Sequence, residues 1–262
     1  MSNENNRFDP PNIPMDLSYG SADDEFGKGL HDGALYGAHG EPNWDLMYRI
    51  GRPPWDTGIP APPLLRFLDA NPPTRENYPS CTSDLDKITA LDLGSGTGAN
   101  AIELHRRGFD ITAIEHSPMA MERAYQRAEE MEAVLRFVLA DVFEFGKREE
   151  KFDLILDAGV YHYIRKARLE EYLQLLRRIS KPGTLFFCLA GREDDKNPPS
   201  PTFSPEVKEP YQGPPTVSED HFYDELGRLF DLEELEPITL GSPKVSEGFP
   251  GWACLMRFPQ ID

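Results

Sequence analysis

A glycine-rich turn after an apolar run is the feature that most constrains this chain. The stretch LDLGSGTGAN occupies residues 91–100 and combines apolar residues, an acid and three closely spaced glycines. Such a pattern is typical of a parallel β-strand that turns tightly into a helix beneath a nucleotide. Several nucleotide cofactors are bound in this way, so the glycines alone do not identify the ligand.

Strands and helices alternate regularly after this turn. Apolar runs predict strands at residues 88–93, 111–115, 134–140, 152–158 and 184–190. Helices are expected between them, from Gly98 to Arg107, from Ser117 to about Met131, and where Leu169, Leu173, Leu176 and Ile179 share one face. Two later strands, around residues 231–240 and 252–258, complete a seven-stranded sheet. The alternation predicts a doubly wound, mostly parallel α/β fold that is Rossmann-like.

Segments outside the sheet have a different pattern. Residues 1–40 are polar and aperiodic, which predicts a disordered tail or a flap that a ligand orders. Residues 41–262 are predicted to form one domain, which opens with two short helical pieces separated by prolines. Residues 191–217 are Pro-rich and predict a long loop, of the kind that commonly serves as a lid. A helix from residue 218 to about residue 230 follows this loop.

The charge balance limits the partners that the chain can bind. Its 262 residues include 27 Lys and Arg against 45 Asp and Glu, which gives a formal net charge of -18. Nucleic-acid binding needs Lys and Arg to neutralise phosphates, and the chain has no basic run of useful length. We therefore expect a small-molecule ligand and no nucleic acid. The sequence does not indicate an oligomeric state.

Neither a metal site nor a membrane segment is expected. The three cysteines, Cys81, Cys188 and Cys254, are widely spaced and form no zinc-binding pattern. The N-terminus lacks the charged-then-apolar plan of a signal peptide, and no apolar run reaches membrane-spanning length. The sequence therefore predicts a cytoplasmic protein with no metal and no membrane partner.

The spacing of the glycines narrows the choice of nucleotide. Gly94, Gly96 and Gly98 follow G-x-G-x-G, whereas a dinucleotide-binding turn follows G-x-G-x-x-G. Asp92 precedes the first glycine, and a carboxylate there would repel a pyrophosphate. Near the amino-acid and sulfonium ends of S-adenosyl-L-methionine (SAM), which carries no phosphate, the same charge would be tolerated or favourable. The pattern therefore favours SAM over NAD.

Two further acids stand at predicted strand ends. Glu115 ends the second strand, where a carboxylate can accept both ribose hydroxyls of either cofactor class. Asp141 follows the third strand, where it can accept from an adenine amino group while Val142 offers a backbone N–H. With Asp92 and the glycines, these residues predict a SAM site, with S-adenosyl-L-homocysteine as the product.

Taken together, these motifs resemble those of class I SAM-dependent methyltransferases, from about Trp44 to Phe258. The segment WDLMYRIGRPPWDTGIPAPPL at residues 44–64 resembles the entry segment of thiol, thiopurine and halide methyltransferases. Trp44, Tyr48 and Trp55 match its aromatic spacing. The resemblance implies an N-terminal helical lid that folds over SAM and helps to wall the substrate pocket. Aromatic anchors for an N-terminal helix are the alternative interpretation.

A second resemblance concerns the segment after the fourth strand. The stretch FDLILDAGVYHYI at residues 152–164 resembles the family motif of an acid, a glycine and then aromatics or histidine. The resemblance implies that Asp157 points into the cleft and that Tyr161 and His162 lie near the methyl acceptor, as the catalytic candidates. Ala158 stands where relatives often have an arginine or an aromatic, so the motif does not identify the acceptor.

The activity that this resemblance implies is transfer of the SAM methyl group to a small soft nucleophile by in-line displacement. A thiol, sulfide or halide is the expected acceptor, and either Tyr161, His162 or solvent would remove a thiol proton. Three alternatives remain open at this point. They are a SAM-dependent O-, N- or metalloid methyltransferase, a NAD-type oxidoreductase, and a SAM-binding regulator without turnover.

Overall fold

The structure, a computed structural model, describes residues 42–51, 53, 55–82, 87–147, 149–193, 214–241 and 247–260. The tail predicted at residues 1–40 lies outside the described residues. Among the residues described, every helix is too short or too polar to cross a membrane.

The described elements follow the alternation that the sequence predicts. The helices are α1 (Trp44–Arg49), α2 (Pro62–Ala70), α3 (Ala99–Arg106), α4 (Pro118–Glu130), α5 (Val142–Phe145), α6 (Tyr161–Ile179) and α7 (Glu219–Asp224). The strands are β1 (Thr89–Leu93), β2 (Asp110–Glu115), β3 (Arg136–Leu139), β4 (Phe152–Ala158), β5 (Ser180–Arg192), β6 (Thr216–Val217), β7 (Asp231–Leu240) and β8 (Phe249–Arg257).

These strands form one sheet in the order β3-β2-β1-β4-β5-β8-β7, and β6 pairs with β5 outside this path. Strands β1 to β5 pair in parallel, whereas β8 runs antiparallel to both β5 and β7. The predicted doubly wound, mostly parallel sheet is therefore confirmed. The strand order reverses between β1 and β4, and such a reversal opens a ligand crevice at the carboxyl ends of the two strands.

The structure differs from the sequence prediction at the long loop. Strand β5 continues to Arg192, and the short strand β6 pairs in parallel with residues 191 and 192. Residues 194–213, most of the predicted loop, lie outside the described residues. The helix expected to reach residue 230 is shorter, since α7 ends at Asp224 and a 3-10 turn, Leu226–Arg228, follows. Gly227 in that turn disfavours continued α-helix.

Two apolar layers cover the two faces of the sheet. Along β4, Leu154 and Leu156 pack into the layer formed with α2, α3 and α4, whereas Ile155 packs into the layer formed with α6 and α7. Alternation of this kind is expected of a strand that is buried on both faces. The predicted apolar face of α6 is confirmed, because Leu173, Leu176 and Ile179 are buried there and Leu169 packs against them.

A buried acid fastens the linker before β1 to the amino-terminal edge of the sheet. Asp153, at the start of β4, is fully buried. It accepts hydrogen bonds from the Ser80 hydroxyl (2.6 Å) and from the Thr89 backbone N–H (2.9 Å), and it pairs with the Lys181 ammonium (2.8 Å). The glycine turn lies at the opposite, carboxyl-terminal edge. Asp153 therefore supports the fold away from the predicted site.

Replacing Asp153 with alanine is expected to lower the free energy of unfolding by about 3–5 kcal/mol, because it leaves buried donors and an ammonium without their acceptor. Glu170→Ala, which breaks an exposed ion pair with Arg228, is the matched control and should have a much smaller effect. Urea denaturation measures both variants. Equal losses in the two would contradict the role assigned to Asp153.

Candidate active site

The glycine turn after β1 needs residues without side chains. Gly94, Gly96 and Gly98 have φ angles of 64°, 56° and 78°, in the left-handed region that favours glycine. A Cβ atom at Gly94 would lie 2.5 Å from the Val160 Cγ2 atom, and one at Gly96 would lie 2.9 Å from the Tyr48 hydroxyl. The turn is therefore packed against the segment after β4 on one side and covered by α1 on another.

Glu115 links this turn to the next βα junction. Its side chain is buried at the end of β2. One carboxylate oxygen accepts from the Gly96 N–H (2.8 Å) and the other from the Ser117 N–H (2.7 Å). Burial raises the pKa of Glu115, and these N–H donors oppose the rise. The His116 N–H is a third donor, and a carboxylate has four lone pairs, so it keeps accepting capacity for the predicted ribose contact. That contact stays a prediction.

Asp92 is the least satisfied polar group of the site. Its side chain is 1% exposed at the end of β1, and neither carboxylate oxygen has a hydrogen-bond partner within normal limits. Burial raises its pKa well above the usual value, and the nearby charges of Asp157 and Glu115 raise it further. The Ala101 backbone N–H, in the first turn of α3, partly opposes this rise. A buried carboxylate without a partner is costly, and a cationic ligand would remove that cost.

Asp141 stands at the carboxyl end of β3, on the same edge of the sheet. Its side chain accepts from the Phe143 N–H (2.7 Å) and so caps α5, which begins at Val142. Parallel pairing brings Asp141 beside Glu115, whose strand partner is Leu139. The structure thus gathers the three predicted acids at neighbouring strand ends. The adenine contact of Asp141 and Val142 stays a prediction.

The three aromatic residues of the predicted lid form one cluster. The Trp55 indole N–H donates to the Tyr48 hydroxyl at 3.0 Å. The centroid of the Trp44 ring lies 5.1 Å from that of Trp55 and 4.7 Å from that of Tyr163, in edge-to-face contacts. Since Tyr163 belongs to α6, the cluster spans from the lid to the segment after β4. It lies directly over the glycine turn through Tyr48.

Hydrogen bonds from the chain around α1 close this lid. Asp45 accepts from the Ser117 hydroxyl and the Met119 N–H, each at 3.0 Å, at the start of α4. Asp56 accepts from the Thr97 hydroxyl in the glycine turn at 2.9 Å. Sequence reasoning did not assign these anchors. Asp56 belongs to the PWD element that the sequence singles out, but its partner Thr97 is distant along the chain, so the pairing could not be predicted.

The side chain of Asp157, a predicted catalytic residue, accepts hydrogen bonds from the backbone at the start of α6. One of its oxygens accepts from the backbone N–H groups of Gly159, Val160 and Tyr161, at 3.0, 2.8 and 3.2 Å. The other accepts from the Tyr161 N–H (2.9 Å) and the Tyr172 hydroxyl (2.5 Å). Burial raises the pKa of Asp157 to about 6, against the lowering effect of these donors. Its side chain caps the helix and is fully buried.

Tyr161, the second predicted catalytic residue, is also fully buried. Its hydroxyl donates to a carboxylate oxygen of Glu225 at 2.7 Å, and Arg165 donates to the same oxygen at 2.9 Å. Burial and the Glu225 charge both raise the pKa of Tyr161. The hydroxyl is therefore directed at the residue that follows α7. The structure does not bring it to the lid cluster.

His162, the third predicted catalytic residue, lies at the base of that cluster. Its ring packs edge-to-face on Tyr163 at 4.7 Å, and its Nδ1 atom accepts from the Gly191 N–H at 2.9 Å. Its Nε2 edge faces Gly159, where a Cβ atom would lie 3.4 Å from Nε2. Burial lowers the pKa of His162 to about 3. The catalytic assignment of Asp157, Tyr161 and His162 stays a prediction.

Known proteins resemble this chain in the region of the site. Residues 90–183, from β1 into β5, match the protein family described as a methyltransferase domain. The chain is 28% identical over 190 residues to 2-heptyl-1-hydroxyquinolin-4(1H)-one methyltransferase of Mycobacteroides abscessus, which covers 72% of this chain and 73% of that protein. It is 34% identical to the release factor glutamine methyltransferase of Bacillus subtilis over 89 residues, 33% of this chain and 31% of that protein.

Solved structures share the fold. One concerns the conversion of a disulfide bond into a thioacetal group during echinomycin biosynthesis, with a TM-score of 0.65 and 25% identity over 84% of this chain and 93% of that one. A SAM-dependent methyltransferase of Methanosarcina mazei gives a TM-score of 0.55 at 15% identity, over 71% of this chain and 97% of that one. The domain match, the relatives and the fold together support a class I SAM-dependent methyltransferase.

Proposed function

We propose that the protein transfers the methyl group of SAM to a small-molecule acceptor, and that the acceptor is a soft nucleophile such as a thiol, sulfide or halide. The observation that carries the cofactor assignment is the Asp92 carboxylate, which is buried directly before the glycine turn with no hydrogen-bond partner within normal limits. SAM has positively charged groups and no phosphate, so it suits this carboxylate where NAD does not.

The residues at the strand ends fit the parts of SAM. Asp92 offers a counter-charge to its cationic end, and the glycines leave the turn without side chains in its path. The remaining lone pairs of Glu115 suit the ribose hydroxyls, and Asp141 with the Val142 N–H suits the adenine. When bound, SAM supplies an activated methyl group on a sulfonium sulfur.

In this proposal the lid residues bind the sulfonium of SAM and exclude water from the site. The rings of Trp44, Tyr48 and Trp55 present aromatic faces and edges over the glycine turn, and aromatic faces attract a sulfonium by cation–π contact. The hydrogen bonds of Asp45 and Asp56 hold the lid against α4 and the turn. Excluding water and fixing the orientation of donor and acceptor account for much of the catalysis that methyl transfer requires.

The surroundings of Asp157 and Tyr161 favour an acceptor that needs no strong base. Both side chains are fully buried, and their polar atoms already have partners within the fold. We assign them positioning roles, in which Asp157 shapes the turn after β4. A thiolate or a halide ion is already deprotonated, so its lone pair can attack the methyl group without a base. The structure concerned with a disulfide and a thioacetal, both sulfur groups, supports sulfur as the accepting atom.

Methylation of oxygen on an aromatic heterocycle is the second candidate. It is favoured by the relative that acts on 2-heptyl-1-hydroxyquinolin-4(1H)-one, whose similarity extends over 190 residues of this chain. An N-hydroxy group on such a ring is acidic, so this acceptor would also reach the site without help from a strong base.

Product analysis after incubation with SAM tests the proposal. The acceptors are thiophenol, sulfide, iodide and 2-heptyl-1-hydroxyquinolin-4(1H)-one, and the S-adenosyl-L-homocysteine product and the methylated acceptor are measured together. Methylation of thiophenol, sulfide or iodide supports the first candidate, and methylation of the quinolone alone supports the second. SAM binding without any methylated product would contradict both and favour a regulator.

Asp92→Asn is expected to lower SAM affinity about tenfold or more, because it removes the counter-charge to the cofactor. It should also stabilise the ligand-free protein at high pH. The folded pKa of Asp92 is raised, so the stability that the protonated acid contributes is lost as pH rises through that value. Calorimetry and urea denaturation at pH 5 and pH 8 measure the two effects. Asp110→Asn, on the exposed start of β2, is the control and should change neither.

Glu115→Ala is expected to weaken SAM binding about 10–100-fold, because it leaves ribose hydroxyls and the Gly96 N–H without an acceptor. Glu122→Ala, an exposed position on α4, is the matched control. Calorimetric titration with SAM measures the SAM affinity of both variants. Unchanged SAM affinity in Glu115→Ala would overturn the ribose assignment.

Trp55→Ala is expected to reduce kcat about 10–100-fold while changing SAM affinity less, because an open lid admits water and misplaces the acceptor. Trp55→Phe keeps a ring but loses the bond to the Tyr48 hydroxyl, so its kcat should fall between those of Trp55→Ala and the wild type. Steady-state kinetics and thermal unfolding distinguish a role in the lid from a role as an aromatic anchor of the N-terminal helix. A lower Tm with unchanged kcat would favour the aromatic-anchor interpretation.

A further inference from the structure

His162 lies where the two turns that frame the crevice meet. Its Nε2 edge faces Gly159, and the next residue, Val160, lies directly against Gly94 in the glycine turn. We propose that His162 donates a hydrogen bond from Nε2–H to the methyl acceptor and orients it, and that it does not remove a proton. The proposal rests on the methyl-transfer function proposed above and names the chemistry of the acceptor.

The Gly191 backbone fixes which ring nitrogen carries the proton. A backbone N–H only donates, and the Gly191 N–H lies 2.9 Å from Nδ1. Nδ1 must therefore be the unprotonated acceptor, and in a neutral imidazole the proton is then on Nε2. Burial holds the pKa of His162 at about 3, so the ring is neutral at physiological pH.

This tautomer has no lone pair to offer a substrate. The only basic nitrogen is Nδ1, and it is directed at the Gly191 N–H. For Nε2 to accept a proton instead, the hydrogen would have to move to Nδ1, where two N–H groups would then face each other at 2.9 Å. Geometry thus makes His162 a donor at the edge that faces the crevice.

That donor is available to a ligand. The ring of His162 is 5% exposed, and its bond with Gly191 is the only hydrogen bond that it makes with residues in the described parts of the chain. Gly159 has a φ of +113° and no side chain to cover the Nε2 edge. A donor edge that has no hydrogen-bond partner among the described residues fits a site that a substrate atom completes.

The neighbouring rings indicate the shape of that substrate. His162, Tyr163, Trp44 and Trp55 are linked by successive edge-to-face contacts at 4.7, 4.7 and 5.1 Å. Such a row forms one aromatic wall that runs from the turn after β4 to the lid. A wall of rings with a single N–H donor suits a flat, apolar acceptor that carries a lone pair on or beside the methylated atom. Aromatic thiolates and ring-oxygen anions have this chemistry.

Nuclear magnetic resonance of the full chain with ¹⁵N-labelled histidine tests the tautomer directly. The chain has 6 histidines, and the His162 signals are those that His162→Gln removes. We expect protonated Nε2, unprotonated Nδ1 and no titration between pH 5 and pH 8. A proton on Nδ1, or conversion to imidazolium within this range, would overturn the proposal. The result does not depend on turnover, so it stands apart from failure of the proposed function.

Two variants then separate a donor from a base. His162→Gln places an amide N–H near the Nε2 position, whereas His162→Asn places an amide oxygen near Nδ1, keeps an acceptor for Gly191 and lacks the outer donor. With thiophenol and the quinolone as probes, we expect KM to stay within about threefold in His162→Gln and to rise about 10–100-fold in His162→Asn. An equal loss of kcat by about 100-fold or more in both variants is the behaviour of a general base and would overturn the proposal.

Discussion

Asp92 places a carboxylate at the end of β1, where burial removes it from water and neither oxygen meets a donor within normal limits. A protein keeps such a group only if something offsets its cost, and the surrounding acids make the cost larger. The turn that follows is made of glycines with left-handed backbone angles, so a ligand can approach the backbone closely. The charge of Asp92 and the shape of this turn are the basis for proposing SAM, a cationic ligand without phosphate, as the cofactor.

The other parts of the site are arranged around that requirement. Glu115 ties the glycine turn to the start of α4, and Asp45 of the lid binds that same start of α4. One junction therefore fixes both the floor and the cover of the proposed cofactor pocket. The aromatic contacts from Trp44 to Tyr163 extend the cover to the segment after β4, where the acceptor site is proposed.

Local patterns in the sequence predicted most of the fold. Apolar periodicity located the strands and the buried face of α6, and the Ser-Pro pair located the start of α4, where the Ser117 side chain accepts from the Ala120 N–H at 3.1 Å. Spacing of glycines and acids also located the residues that gather at the strand ends. These features depend on residues that are near one another in the chain, so a single sequence carries enough information.

Contacts between distant residues were not predictable in this way. The pairing of β6 with β5, the bond from Thr97 to Asp56 and the bond from Gly191 to His162 join segments that only the folded chain brings together. The same limit affects Asp157 and Tyr161, whose polar atoms have partners supplied by the start of α6 and by Glu225. A motif gives the residue types of a site but not the direction of each side chain.

Calorimetric titration of the purified protein with SAM, S-adenosyl-L-homocysteine and NADH measures which nucleotide the protein binds. We expect saturable binding of both adenosyl compounds at one site, with no heat from NADH beyond dilution. A protein that binds NADH, or that gives no signal with either adenosyl compound, would contradict this expectation.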